Sequence, residues 1–277
     1  MSERFEVFRL SLLPRPQRDL EGGPDPTREE YLRTVFSAIT TFAHYNAEFH
    51  FRPDPRLSTD NGLIGRLGRA VVIDENRPPD QGFEEISHEG WKACVVVVDP
   101  GEHEDGQKAS IEIDQAVGKP TAIFGGLVKA INAANPLAPY TIEAQPIFDA
   151  ETFWDFAEEN EGQITSLTFE FVVPNGLWSA SSSIRDELKA AKEKLGAQKV
   201  INTFQSSDGI ETNSEQVRDA VNYAVSGSGE IKARAKGGKK FDSNEKPKVA
   251  TLPKSDEEKE PVIVRVARNI ARVLGRE

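Results

Sequence analysis

Trp91-Lys-Ala-Cys-Val-Val-Val-Val98 is the most apolar strand-length stretch of the sequence. A short run that is apolar at nearly every position and rich in β-branched residues is typical of a strand buried on both faces of a sheet. We therefore expect this strand to be central. Asp99-Pro-Gly101 follows it as a turn, and Lys108 to Asp114 is predicted to return antiparallel to it. Cys94 is the one cysteine of the chain, which excludes an intramolecular disulfide and indicates a buried structural thiol.

Segments with strand-like and helix-like patterns surround this central strand in an irregular order. Phe5 to Leu13 alternates apolar and polar residues as a half-buried strand does, and a helical apolar stripe runs from Tyr31 to Phe42. Ile123 to Ala134 is predicted to be a helix and Tyr140 to Phe148 a strand, whereas the polar stretch Asp74 to Gly90 is predicted to be a surface loop. Since the regular alternation of a doubly wound sheet is missing, the predicted fold class is α+β, with mixed or antiparallel sheets and flanking helices.

Two stretches rich in proline or charge divide the chain into three predicted parts. Asn135-Pro-Leu-Ala-Pro139 is typical of a hinge, which gives an N-terminal α+β domain at 1–136 and a C-terminal α+β domain at 137–252. Residues 253–277 are predicted to form a linker and an amphipathic helix, which could dock on the core, pair with a partner protein or lie on a membrane surface. Four arginines lie off the apolar stripe of that helix: Arg265, Arg268, Arg272 and Arg276.

The composition limits the partners and the compartment of the protein. The 277 residues include 45 acidic and 34 basic side chains, a formal net charge of −11, so the molecule as a whole repels nucleic acid and anionic membranes. The sequence has no apolar signal region and no apolar run near the roughly 20 residues that span a bilayer, so we expect a cytoplasmic protein. It contains no zinc, Walker or dinucleotide-binding motif, and we expect no metal and no cofactor.

Against this acidic background, the segment Gly227-Ser-Gly-Glu-Ile-Lys-Ala-Arg-Ala-Lys-Gly-Gly-Lys-Lys240 concentrates positive charge. Basic residues alternate with Ile231, Ala233 and Ala235, so an extended strand would put the charges on one face. The flanking glycines allow close approach to a ligand, and Gly227-Ser-Gly229 could cup a phosphate. A polyanion is the natural partner of such a surface, and the alternative is a solvated edge strand whose lysines discourage aggregation. The candidate nucleic-acid-binding residues are Lys232, Arg234, Lys236, Lys239, Lys240, Lys246 and Lys248.

Two other patterns suggest different functions. Glu230-Ile-Lys232, with Asp208 or Asp219 upstream, matches the two carboxylates and the lysine that a Mg²⁺-dependent nuclease requires. Alternatively, acidic surfaces could make the protein an interaction or inhibitory subunit that mimics nucleic-acid charge. Its interface would be formed by the stretches 84–89, 102–105 and 151–161. The three tryptophans are candidates for stacking on bases: Trp91, Trp154 and Trp178.

The second half of the chain contains a particular order of elements. Tyr140-Thr-Ile-Glu143 begins a strand before an acidic segment, and the alternating strand Phe169 to Val173 precedes a helix that ends at Leu195-Gly-Ala197. Val217-Arg-Asp-Ala220 lies in a helix, after which a turn containing serine and glycine leads to the strand Ile231-Lys-Ala-Arg-Ala-Lys236. This order, and above all the Arg-Ala-Lys run after the turn, resembles the RexA-like superinfection-exclusion proteins of phage lambda and related prokaryotic phage-defence proteins. The resemblance covers about half of the chain.

The resemblance implies a non-enzymatic, homodimeric, DNA-binding protein that senses phage replication or recombination intermediates. It also implies a partner defence protein, through which alone the chain would contact a membrane. Arg234 and Lys236 match the family's run, whereas Lys239 and Lys240 are candidates because of their local charge alone. We therefore predict a bacterial phage-defence protein that binds DNA with little sequence specificity.

Overall fold

The structure is a computed structural model that describes residues 2–15, 25–103, 105–172, 183–253 and 260–276. These residues form seven α-helices and twelve strands. The strands make two antiparallel sheets, of which the larger curls into a half-barrel. The predicted α+β fold class with flanking helices is confirmed.

The elements are numbered in chain order. The strands are β1 (Glu3–Pro14), β2 (Thr40–His44), β3 (Ala47–Pro53), β4 (Leu63–Asn76), β5 (Glu85–Asp99), β6 (Gln107–Glu112), β7 (Tyr140–Pro146), β8 (Ile164–Val172), β9 (Lys199–Gln205), β10 (Gly229–Ala235), β11 (Lys240–Asp242) and β12 (Val249–Leu252). The helices are α1 (Arg28–Phe36), α2 (Pro120–Ala134), α3 (Ala150–Glu159), α4 (Ser183–Leu195), α5 (Glu215–Tyr223), α6 (Val262–Arg268) and α7 (Ile270–Val273).

The larger sheet has the strand order β12-β1-β6-β5-β4-β3-β2, and β7 also pairs with β1. β5 contains the apolar stretch at 91–98 and lies between β4 and β6, so its predicted central position is confirmed. β1 has three partners, because residues 5–10 pair with β6 along one edge while 3–6 pair with β12 and 8–14 with β7 along the other. The first strand therefore joins elements from distant parts of the chain.

Helices α1 and α2 pack on one face of the larger sheet and bury its largest apolar cluster. Thr27 begins α1 with a capping box, in which its hydroxyl accepts from the N–H of Glu30 and the Glu30 carboxylate accepts from the N–H of Thr27. α1 ends at Phe36. The predicted stripe continued to Phe42, but Phe42 lies in β2, where its ring stacks on that of Phe49 at 5.5 Å between centroids.

The opposite face of the larger sheet is covered by the C-terminal segment. Side chains of this segment, among them Val266 of α6 and Val273 of α7, pack with residues of β1, β4 and β5 in one buried cluster. The sequence left three placements open for this segment, and the structure shows the first of them, in which it docks on the core. The segment forms two short helices instead of one, since the Asn269 side-chain amide donates to the Arg265 carbonyl at 2.8 Å and ends α6 there.

The smaller sheet has the order β11-β10-β8-β9. Its inner face packs against α3, α4 and α5 around Phe153, Phe169, Phe171, Val221 and Ile231. Along β8 and β10, every second side chain is buried in this cluster, and the intervening polar side chains point away from it. The outer face of the smaller sheet is consequently polar and accessible.

The polar stretch Asp74 to Gly90 is not a loop, as the sequence predicted, but the outer part of a long β-hairpin. β4 and β5 remain paired without interruption from Leu63 opposite Val98 to Asn76 opposite Glu85. A two-stranded ribbon that stands away from the core has no buried face. It therefore lacks the apolar alternation by which strands are recognised in a sequence.

The predicted division at 136 and 252 stays a prediction. Beyond residue 136, β7 pairs with β1 in the larger sheet, and β12 does so as well. The smaller sheet is built from residues 164–242. Among the described helices, none has the length and apolar character needed to span a lipid bilayer.

Candidate nucleic-acid interface

β10 enters the smaller sheet through a closely packed turn. Gly227 has a φ of 78°, and a Cβ at this position would lie 2.4 Å from the Cβ of Arg9. A Cβ on Gly229 would lie 2.3 Å from the carbonyl oxygen of Glu170, and Ser228 between them is buried. Glycine is therefore required here for packing within the chain. From the sequence, we expected the backbone of this glycine turn to approach a phosphate closely. In the structure, the turn packs closely against β1 and β8 instead.

The alternation along β10 places its basic side chains on the outer face of the smaller sheet. Ile231 and Ala233 are buried, while Lys232 and Arg234 are exposed. The strand ends one residue before Lys236, which therefore lies in the turn that follows and not on the strand face.

A tight hairpin then returns the chain and brings more cations beside Arg234. Gly237 and Gly238 both adopt positive φ, 77° and 81°, and β11 begins at Lys240. Arg234 lies directly opposite Lys240 in the antiparallel ladder. Opposed residues in such a ladder have their Cβ atoms about 5 Å apart, so the two positive side chains are neighbours on one face. Lys236 and Lys239 occupy the exposed turn between them. The hairpin thus gathers four cations: Arg234, Lys236, Lys239 and Lys240.

These four cations are not neutralised by the described parts of the chain. No carboxylate oxygen of a described residue lies within 4.0 Å of their charged nitrogens, and the same is true of the exposed Lys246. Neighbouring like charges raise the electrostatic free energy of the unliganded protein. An anion bound at the hairpin would lower it.

Polar side chains of β8 and β9 extend the cationic hairpin into a groove of about 410 Å³. Ser166 lies opposite Arg234 on one side and opposite Gln205 on the other. In the next row, the hydroxyls of Thr168 and Thr203 lie 3.2 Å apart. Hydroxyl and amide groups of this kind donate hydrogen bonds to phosphate oxygens without reading base identity.

Lys232 is the least available of the strand cations. Its Nζ lies 2.7 Å from Oε2 of Glu230, and Asp242 occupies the opposed position on β11. The hydrogen bond that the Lys232 ammonium donates to the Glu230 carboxylate raises the pKa of Lys232, so its positive charge is kept but is partly balanced by Glu230. Asp242 and Glu245 also line the groove, which makes its positive end the one at Arg234 and Lys240.

Backbone hydrogen bonds hold Lys248 next to β1, away from the cationic hairpin. Its carbonyl accepts from the N–H of Val7, and its own N–H donates to the carbonyl of Ile147, which places it beside the larger sheet. Its Nζ lies 3.8 Å from the Asp149 carboxylate. Of the seven candidate cations, Lys248 therefore has the weakest structural support.

Three arginines of the C-terminal segment form ion pairs with carboxylates of the same chain. Arg265 pairs with Glu3, Arg268 with Glu260, and Arg276 with Asp99. Arg265 and Arg276 have side chains only 10% and 14% exposed. These three arginines are therefore paired within the chain and are not expected to assist the hairpin in binding DNA.

The nuclease pattern is not assembled around Glu230. Glu230 and Lys232 face outward, whereas the helix that contains Asp219 packs on the inner face of the sheet. Asp208 lies in the exposed segment after β9. Across the described residues, no three or more histidine, cysteine or acidic side chains are grouped so that they could hold a metal ion.

The two described tryptophans, Trp91 and Trp154, do not line the groove. Trp91 is 62% exposed but belongs to β5 of the larger sheet, and Trp154 packs with Phe153 against the core of the smaller sheet. Trp178, with its neighbouring Pro174-Asn-Gly turn, lies outside the described residues.

Sequence reasoning missed the polar rows beside the cations: Ser166, Thr168, Thr203 and Gln205. On β8, the alternation of Ser166 and Thr168 with buried apolar residues was a usable signal, because it puts them on the face away from the core. On β9 the signal is weaker, because the exposed Ile201 shares the outer face with Thr203. What the sequence could not provide was the strand order, in which β8 lies between β9 and β10.

The chain was compared with protein-family models, with curated proteins and with solved structures, and none of the three comparisons finds a match.

Proposed function

We propose that this protein binds DNA, with little sequence specificity, through the β10–β11 hairpin and the adjoining groove of the smaller sheet. The observation that supports this function best is the opposition of Arg234 and Lys240, with Lys236 and Lys239 in the intervening turn and no described carboxylate within 4.0 Å. A phosphodiester backbone supplies the anions that this arrangement lacks.

The chemistry of the groove favours contact with phosphates over contact with base edges. Cations at one end are continued by hydroxyls and a side-chain amide along β8 and β9. Such donors fix the position of a nucleic-acid backbone but do not distinguish its sequence. Binding should therefore depend on salt more than on base composition.

The acidic body of the protein sets a limit on affinity. With a net charge of −11, each chain repels DNA at long range, and only the local field of the hairpin favours contact. We propose that the protein is a homodimer, because two hairpins gripping one duplex would double the number of phosphate contacts. Binding should still be confined to low salt.

The direct test is a mobility shift with duplex DNA at low salt. The test variant replaces four cations: Arg234→Glu, Lys236→Glu, Lys239→Glu and Lys240→Glu. The matched control makes the same change of charge at four exposed lysines that form no ion pair with described residues: Lys92→Glu, Lys119→Glu, Lys129→Glu and Lys194→Glu.

We expect the hairpin variant to lose DNA retention and the control variant to keep most of it. For the unaltered protein, the logarithm of the binding constant should fall with the logarithm of salt concentration with a slope of about −3 to −4 for the four contacts of each hairpin, and hence about −7 for the proposed dimer. Equal retention of DNA by the hairpin variant and the unaltered chain would refute the proposal. Equal loss of retention in the hairpin variant and the control variant would also refute it, because the loss would then reflect net charge alone.

We further propose phage defence with a partner protein as the setting of this activity, on the basis of the resemblance of residues 140–236 to RexA-like proteins. Phage should then form fewer plaques on bacteria that produce the chain with its partner. Plaque numbers should recover in bacteria that produce the hairpin variant, because the defence would depend on contact with phage DNA.

A further inference from the structure

The β4–β5 hairpin continues well beyond the sheet in which it begins. β3 pairs with β4 only at residues 65–69, and β6 pairs with β5 only at 96–99. From Ala70 opposite Trp91 to Asn76 opposite Glu85, seven cross-strand pairs therefore form a ribbon with no third described strand. At about 3.3 Å per residue, this ribbon is about 20 Å long. We call residues 70–91 the β4–β5 arm.

Among the described residues, the arm is open along both edges and both faces except at its base, where the Trp91 ring lies 5.1 Å from that of His50 on β3. Its strand residues are exposed or half-buried, and none is buried. An isolated two-stranded ribbon is at best marginally stable in water. The unpaired N–H and C=O groups along its edges are also templates for the addition of another strand.

The arm displays large apolar side chains to solvent. Val72, Phe83 and Trp91 are 68%, 62% and 62% exposed, and they mark the middle, the tip and the base of the arm. Phe83 also has a φ of 56°, in the left-handed region that a bulky side chain seldom occupies. The tip therefore holds an aromatic ring outward at a conformational cost, as is common at binding sites.

The charge of the arm is strongly one-sided. Between residues 74 and 90, six carboxylates are present against one arginine, Arg77, which lies 3.5 Å from Glu84. Asp80, Glu85 and Glu89 have no described basic side chain within 4.0 Å. Nucleic acid and a second acidic surface are both disfavoured by this field, whereas a basic polypeptide is attracted.

We propose that the β4–β5 arm is a docking site for a partner protein that presents an extended basic segment with apolar residues at alternate positions. The segment would add to an open edge of the arm as a third strand. Its basic side chains would face the arm's free carboxylates and its apolar side chains would cover Val72 or Phe83. This surface is separate from the DNA-binding groove, so either proposal can fail without the other.

The test uses the full-length chain and a fluorescent peptide of about ten residues that alternates lysine and valine. The arm variant is Asp80→Lys, Glu85→Lys and Glu89→Lys. Its matched control is Asp60→Lys, Glu187→Lys and Glu211→Lys, which changes the net charge equally at exposed positions outside the acidic stretches named from the sequence. Fluorescence anisotropy at low salt measures the dissociation constant for each protein.

We expect the arm variant to bind the peptide at least about tenfold more weakly than the unaltered chain, and the control variant to bind less than about threefold more weakly. Hydrogen exchange should slow at the open-edge amides of residues 70–76 or 85–91 when peptide is added. Equal weakening in both variants would overturn the proposal. Sedimentation that shows a dimer dissociated by the arm variant alone would also overturn it, because the occupant of the arm would then be a second copy of the chain.

Discussion

Arg234 on β10 and Lys240 on β11 are directly opposed in an antiparallel ladder, with both side chains exposed on the same face of the smaller sheet. Like charges at opposed positions destabilise a ladder by an amount similar to what an ion pair would contribute. The protein thus retains an arrangement that lowers its own stability, at the site where we propose that phosphates bind.

The substitution Lys240→Glu should stabilise the protein while weakening its binding of DNA. It turns the opposed pair with Arg234 from repulsive to attractive, which should raise the free energy of unfolding by about 0.2–1 kcal/mol. Urea unfolding measures the stability and a mobility shift measures the binding. Lys239→Glu is the control for the stability measurement, because it makes the same change of charge in the turn outside the ladder. A destabilised Lys240→Glu variant would contradict the argument from repulsion.

Loss of the Arg276 guanidinium should be strongly destabilising. Arg276 contacts the buried Asp99 carboxylate, lies 3.3 Å from Asp105, and donates to the carbonyl of Gly106 at 2.7 Å. Arg276→Gln leaves Asp99 buried without that partner, and we expect a loss of about 3–5 kcal/mol in denaturant unfolding.

An exposed ion pair provides the comparison for Arg276. Arg77 and Glu84 have side chains 46% and 65% exposed, so Arg77→Gln should cost only about 0–1 kcal/mol. Similar losses in the two variants would show that the C-terminal arginine does not hold its segment on the sheet.

Glu112 should make stability fall as pH rises. Burial raises the pKa of its carboxyl above the ordinary 4.5, and Asp114 and Glu3 raise it further, although a hydrogen bond from the Val95 N–H acts in the opposite direction. The folded protein therefore holds this proton more tightly than the unfolded chain does. The resulting stabilisation is complete below the ordinary pKa and is lost as pH rises through the folded value.

The substitution Glu112→Gln should accordingly raise the free energy of unfolding at pH 7 and give little change at pH 4. The uncharged amide removes the cost of burying a carboxylate, and its oxygen can still accept from Val95. Urea unfolding at the two pH values measures this difference. A variant less stable than the unaltered chain at pH 7 would show that the carboxylate is favoured in place.

Two glycines with nearly the same backbone conformation should respond differently to alanine. Gly227 and Gly237 have φ of 78° and 77°. A Cβ on Gly237 meets nothing within 4 Å, so Gly237→Ala should cost only the left-handed conformation, about 1–2 kcal/mol. Gly227→Ala adds the clash with Arg9 and should cost roughly 1–3 kcal/mol more. Thermal unfolding compares them, and equal costs would mean that β1 and the turn separate easily.

Much of the local structure could be predicted because the responsible signals are short-range. The predicted helix at 123–134 lies within α2, and the predicted strand that begins at Tyr140 is β7. The outward position of Lys232 and Arg234 followed from alternation alone. In each case the residues that decide the conformation are within a few positions of one another.

The arrangement of the elements could not be predicted, because it depends on contacts between distant residues. No local pattern indicates that β8 separates β9 from β10, or that Glu3–Pro14 takes partners from three places in the chain. The arm at 70–91 was missed because a ribbon without a buried face leaves no apolar pattern in the sequence. The neutralisation of Lys248 by Asp149 likewise required the fold.

The three-partner position of β1 has a consequence for biosynthesis. The strand is translated before all of its partners, and residues 3–6 find their β12 neighbours only after residue 252 has left the ribosome. During most of translation, the nascent chain therefore exposes an apolar strand with an unfilled edge, which is prone to self-association. We therefore expect the yield of folded protein to rise with the supply of chaperones that cover this edge until β12 has been synthesised.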